Sequence, residues 1–275
     1  MSRPGSQRSA KEFRDRYGPT AVVTGSGRGI GHAYARALAA RGLDLLLTDV
    51  DGDALEEVAA RLRSETGRTV TVVVADMTDP KSPELLATRA DGLDVGLVIC
   101  NHLVGSQAGR FLDGDPDLYR DEVGANVTAY VELANRFGRR LRERGHGGLL
   151  IMSSMTGVVG SPYVTTYGAC KAFLLAFGSA LAYELRDTGV DVLTLVPSAV
   201  NTETYKKAEK RQSSTFRPMD VDEFVQQALA ALGSKSVTTP GRKNAMTSAL
   251  LGRVLPRRMA VSMMGRNLEK MLGQG

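Results

Sequence analysis

TAVVTGSGRGIGHAYARALAARG, residues 20–42, sets a short β-branched run, a glycine cluster and an alanine-rich stretch in unbroken succession. TAVVT reads as a strand and AYARALAARG as a helix. Between them, Gly25, Gly29 and Gly31 let the main chain turn tightly and approach a pyrophosphate, while the free N–H groups and dipole of the following helix face the negative charge. A glycine cluster alone could be any tight turn. The strand before it and the helix after it make it a phosphate cradle.

The same alternation continues outward. Apolar runs LDLLL, TVTVVVA, DVGLVI, GLLIM, VDVLTLV and SVTT follow, with helix-like segments at 30–41, 53–66, 116–144, 167–187 and 220–232. Runs such as VTVVV are apolar on both faces, as strands are when helices cover each side of a parallel sheet. The fold predicted is therefore α/β, a Rossmann-like doubly wound parallel sheet of about seven strands with helices on both faces. Asp220, three residues before Glu223, caps the helix at 220–232. Residues 20–241 form the main domain, preceded by a flexible basic arm at 1–19. Beyond it, a basic helical extension at 242–275 is split by Pro256 into two amphipathic helices.

At 275 residues and 43% hydrophobic, the chain suits one large domain. Its formal charge of +5 belongs to the ends: residues 1–20 carry +3 and residues 242–275 carry +6, leaving −4 for the body. Without an aromatic platform, helix-turn-helix or zinc pattern at those ends, no nucleic-acid partner is expected. The first twenty residues contain no apolar run and later ones are too short to span a bilayer, so a cytoplasmic location is expected. Cys100 and Cys170 read as small buried hydrophobes in a reducing compartment.

Tyr167 and Lys171, in TTYGACKAF, lie one helical turn apart and share a face. A lysine charge at roughly 5 Å favours the phenolate by on the order of 3 kcal/mol, so the phenol is expected below its usual pKa and able to exchange protons with an alcohol or ketone. Asp49, about twenty residues past the glycine turn, is placed to accept both ribose hydroxyls and to repel a 2′-phosphate. Arg28 pulls the other way. NAD is the expected cofactor, with NADP possible.

With TGxxxGIG at 24–31, Ser154, and YxxxK at 167–171, the sequence resembles the short-chain dehydrogenase/reductase family over about residues 20–241. The resemblance implies an NAD(P)-dependent oxidoreductase that interconverts a secondary alcohol and a ketone. It implies a catalytic set of Asn126, Ser154, Tyr167 and Lys171: Ser154 holds the substrate oxygen, Lys171 also binds the nicotinamide ribose, and Asn126 anchors a water chain. Ser153 is expected on the other face of its strand. Cofactor contacts are implied for Gly25, Arg28, Gly29, Ile30, Gly31, Asp49, Asp76, Met77, Asn101, Pro197, Val200 and Thr202, as well as Tyr167 and Lys171. Val200 and Thr202 would face the carboxamide. The family's Asn-Asn-Ala-Gly is here Cys100-Asn101-His102-Leu103, which puts bulk beside the cofactor, and Ser198 stands where Pro-Gly is usual. His102 reads as a polar loop-edge residue.

A homodimer or homotetramer through the helices at 116–144 and 167–187 is likewise a family-level expectation. Residues 202–217 suit a lid. The extension at 242–275 is expected first to pack on the core, and could also cap an apolar pocket, meet a second subunit or rest on a membrane surface. Met155, Val159 and Val164 point to an apolar substrate. A non-catalytic NAD(H) sensor, or an epimerase or dehydratase on the same scaffold, is the alternative.

Overall fold

The computed structural model describes residues 9–105, 108–202 and 218–272. The strands are β1 (Thr20–Thr24), β2 (Asp44–Asp49), β3 (Val70–Val74), β4 (Val95–Cys100), β5 (Gly147–Met152), β6 (Val190–Leu195) and β7 (Val237–Thr238). They form one sheet in the order β3-β2-β1-β4-β5-β6-β7, parallel throughout. Strand alternation explains the doubly covered sheet. Ala21 and Val23 enter one core cluster with Leu45, Leu47, Leu150 and Met152. Their neighbours Val22, Leu46, Leu149 and Ile151 enter the other.

The helices are α1 (Ala10–Tyr17), α2 (Gly29–Ala39), α3 (Gly52–Thr66), α4 (Ser82–Arg89), α5 (Pro116–Val123), α6 (Ala129–Arg144), α7 (Thr165–Glu184), α8 (Val221–Ala231), α9 (Arg242–Ala249) and α10 (Arg257–Leu272). The first cluster includes Tyr34 and Leu38 of α2, Leu55 of α3 and Phe224 of α8. The second draws on Leu86 of α4, Phe137 of α6 and Leu174 of α7. The sheet order reverses between β1 and β4, so a crevice opens at the carboxyl ends of these strands. Both the glycine turn after β1 and Asn101 after β4 lie there.

The expected flexible arm is not what residues 10–17 form. They make a helix with a capping box between Ser9 and Glu12. Its Phe13 and Tyr17 are buried, and Tyr17 Oη and Arg16 Nε each donate to Asp191 Oδ2 at 2.6 Å. The start of β6 is thereby tied to the chain's first helix. The two tail helices are present, separated at Pro256, and Leu251, Ala260 and Met264 pack on Val159 with Met155 and Val158 beside them. The proposed lid falls, beyond Thr202, outside the described residues.

Candidate active site

In the glycine turn, Gly25 and Gly29 adopt φ of 63° and 59°, left-handed values that disfavour a side chain. A Cβ on Gly31 would sit 1.9 Å from the Gly25 carbonyl oxygen, so only glycine permits this close return of α2 over the turn. Arg28 caps α2 without a side-chain hydrogen bond, which leaves first-turn amides directed at the crevice. Asn101 Nδ2 donates to the carbonyls of Thr24 and Gly25, 3.1 Å each, stapling the end of β4 to the turn. Asp49 Oδ2 accepts from Gly27 N at 2.9 Å and Oδ1 from Asp51 N at 3.2 Å. Arg28 forms an ion pair with Asp51. A Cβ on Gly29 would lie 3.6 Å from Thr202 Cγ2, so Thr202 reaches the turn from the far side. An uncapped helix start, left-handed glycines and a carboxylate at the end of β2 fit a dinucleotide.

Some of the residues named as cofactor contacts turn their side chains into the core. The Val200 side chain is buried in the main core and its backbone bridges to Met219, so it does not face the crevice. Met77 is 6% exposed and packs in the second cluster, because the alternation that exposes Asp76 turns it inward. Ile30 packs against the main core. Asp76 caps its own turn, accepting from Thr78 N. The Pro197 carbonyl accepts from Met155 N at 2.8 Å, joining the VPSAVNT segment to the turn after β5.

That turn carries the hydroxyl cluster. Ser154 Oγ accepts from Thr156 N and from Thr156 Oγ1, the latter at 3.0 Å. Ser153 faces away as expected and donates to the Lys171 carbonyl at 2.6 Å. On α7, the Lys171 side chain is 2% exposed, its Nζ donates to Met152 O at 2.8 Å and lies 5.7 Å from the Tyr167 ring centre. Burial pushes this ammonium down to about 8, opposed by Cys170 and Glu122. The expected depression of the Tyr167 phenol is overturned. Burial raises it above its usual value, Glu122 adds to the rise, and hydrogen bonding from Ser154 and Thr156 only partly opposes it. The simple Coulomb expectation omitted desolvation, which wins.

Asn126 is held by the loop after β4. It lies in a π-helical turn, Gly124–Thr128, between α5 and α6. Its side chain clamps Val104, accepting from Val104 N at 3.3 Å and donating to Val104 O at 3.0 Å. It therefore fixes the loop after β4.

His102 is a core residue, not a loop-edge one. Its Nε2 donates to Ala125 O and its Nδ1 accepts from Thr24 Oγ1, both at 2.9 Å. Its ring packs on Tyr130, and burial lowers its pKa to about 3. The bulk in Cys100-Asn101-His102-Leu103 is thus divided. Cys100 and His102 turn into the core, and Leu103 is left 55% exposed.

Sequence reasoning missed Thr156 and a cavity bounded by Tyr163. A cavity of about 550 Å³ lies among Gly109, Arg110, Asp113, Tyr119, Tyr163 and Glu269. Among the described residues, Tyr163 is the one non-glycine with positive φ, 66°. Its carbonyl accepts from Gly109 N at 2.8 Å and its hydroxyl donates to Glu269 of α10. No local pattern announces Tyr163 or Glu269, since they are 106 residues apart in the chain.

The sequence profile of the short chain dehydrogenases matches residues 19–213. The chain belongs to this family. The 7beta-hydroxysteroid dehydrogenase of Clostridium sardiniense is 29% identical, the match covering 84% of this chain and 89% of that protein. A short-chain dehydrogenase from Sphingobium yanoikuyae, solved in complex with NADPH, is 32% identical with a TM-score of 0.74, covering 85% of this chain and 94% of that one. The bulky-bulky ketone specific alcohol dehydrogenase from Comamonas testosteroni is 30% identical with a TM-score of 0.75, covering 89% and 94%. This short-chain dehydrogenase is an NAD(P)-dependent oxidoreductase that interconverts a secondary alcohol and a ketone.

Proposed function

We propose that the enzyme acts on a bulky, largely apolar ketone or secondary alcohol, with Tyr167 as the proton donor and acceptor and Ser154 as the group that holds the substrate oxygen. The observation that carries this is the convergence of Ser154, Thr156 and Tyr167 hydroxyls beside buried Lys171, just past the end of β5. Gly25, Gly29, Gly31, Asp49, Asn101 and Thr202 would hold the dinucleotide, which when bound supplies or accepts the hydride. Ser154 orients the carbonyl oxygen, and Thr156 fixes the Ser154 hydroxyl by donating to it. In reduction Tyr167 gives its proton to the oxygen as the carbon is reduced, and in oxidation it takes that proton back. With its pKa raised, the Tyr167 phenol is held in the protonated form that reduction needs, while oxidation has to draw on the scarcer phenolate.

Asp49 supports NAD, since its carboxylate would oppose a 2′-phosphate while the Arg28 charge is engaged by Asp51. The bulky apolar substrate class is supported by Met155, Val158 and Val159 packed under the tail beside Ser154. The steroid and bulky-ketone activities named for the relatives agree with it. Exposed Leu118 and Val123 on α5 and Phe173 on α7 support a homodimer through these helices. On the tail, Met246, Leu250 and Val254 are exposed four residues apart among basic residues, a pattern that supports reversible contact with an anionic membrane surface. Among the described residues no helix is long and apolar enough to cross a membrane. Two buried free thiols support a reducing compartment, the cytoplasm in our reading.

Tyr167→Phe tests the central assignment. Ketone reduction should fall by at least about 10²-fold, while NADH binding measured by fluorescence titration stays unchanged. Undiminished turnover would refute it.

A further inference from the structure

α5 is built against the usual rule for a surface helix. It leaves Leu118 and Val123 48% and 41% exposed, and the single residue it buries is an acid, Glu122, at 1% exposure. The Oε1 atom of Glu122 is buried without a hydrogen-bond partner, and no basic group among the described residues stands within ion-pair range of it. Leaving a buried carboxyl oxygen without a partner is costly, and apolar side chains were available on the same helix. Sites that break a local rule in this way are where function is expected.

α5 packs against α7, the helix that carries Tyr167, Cys170 and Lys171. We propose that Glu122 is a positioning residue of the active site, a carboxyl that acts through Lys171 and Tyr167 by its charge and sets the pH range over which the pair exchanges a proton with substrate. The inference rests on the reading of Tyr167 as the acid and base.

Among the described residues, the titratable groups that feel the charge of Glu122 lie on α7. Its charge raises the pKa of Lys171, of Tyr167 and of Cys170. The π turn that continues α5 brings no titratable group, since it consists of GANVT. Lys171 already spends one donor on Met152 O, so Glu122 does not compete for that bond. It acts as a nearby field. Burial lifts its own carboxyl to about 7, with Lys171 opposing, which places its change of charge within the working range of the enzyme. When ionised, Glu122 holds the Lys171 ammonium in place and keeps the Tyr167 phenol protonated. When protonated, it releases both.

The test is the pH dependence of kcat/KM in both directions for Glu122→Gln, Glu122→Asp and Glu122→Leu. Removing the charge lowers the ionisations of Tyr167 and Lys171 together. The Gln and Leu profiles should therefore move to lower pH by at least about half a unit, and the Asp variant should stay near the parent profile. A Gln profile that superimposes on the parent, whatever happens to kcat or Tm, would assign Glu122 a structural role only and overturn the proposal. Should the Gln variant not fold, the Leu variant, which places an apolar group in the same buried position, gives the same reading. Failure here is distinct from failure of the Tyr167 assignment, because that assignment is read from loss of turnover in Tyr167→Phe and this one from the position of the pH profile in variants that still turn over.

Discussion

Lys171 is buried with its charge, and the fold bears a cost for it. In the unfolded chain its pKa is the ordinary 10.5, and in the fold burial takes it to about 8. Below pH 8 both states are protonated and the burial cost is present in full. Between 8 and 10.5 the folded protein gives up this proton first, so the cost fades as pH rises. Lys171→Met should therefore be inactive yet more stable than the parent at pH 7, by on the order of 1–3 kcal/mol after the lost bond to Met152 O. Denaturant melts should show that difference shrinking toward pH 10. Tyr167 gives the complementary prediction. Oxidation needs the phenolate and the phenol is raised above its ordinary 10.0, so alcohol oxidation should climb steadily from pH 7 toward pH 10. Ketone reduction, which needs the protonated form, should not rise with it, as initial rates in the two directions will show. Tyr167, Lys171 and Ser154 were legible in the sequence as types and spacings. The sign of the Tyr167 shift was not, because it depends on burial and on Glu122, which reaches the pair from another helix.

At the scale of elements, β1, the glycine turn and α2 were readable because each step has a local cause. Gly31→Ala should abolish dinucleotide binding in a titration and lower stability, since a methyl 1.9 Å from the Gly25 oxygen forces the turn and helix apart. α1 escaped the reading for an equally physical reason. AKEFRDRY offers only Phe13 and Tyr17 as an apolar pair amid charges, and what it packs on, Gly148 and Asp191, comes from distant strands. The signal that could have found it is the Ser9–Glu12 capping box. Tyr17→Ala should cost about 3–5 kcal/mol by thermal or chemical denaturation, as for a large aromatic cut from a core. α4 is short and starts through Pro83, so its period was too brief to stand out.

Across the whole molecule, the body and the tail divide the work. The sheet carries the cradle and the hydroxyl cluster, while Leu251 and α10 lie over the turn that follows Ser154. The tail's packing was foreseen as one of several options, and only long-range contacts could choose among them. Tyr163→Phe removes the hydroxyl that donates to Glu269. It should raise KM for a bulky ketone several-fold with kcat nearly retained, and steady-state kinetics on large and small ketones will show whether the loss is confined to the large ones. Tyr163 stands four residues ahead of Tyr167 in the chain. The residue that α10 grips through Glu269 is thus just upstream of the proton-carrying phenol, so a displacement of that helix would be handed along four residues of main chain to Tyr167.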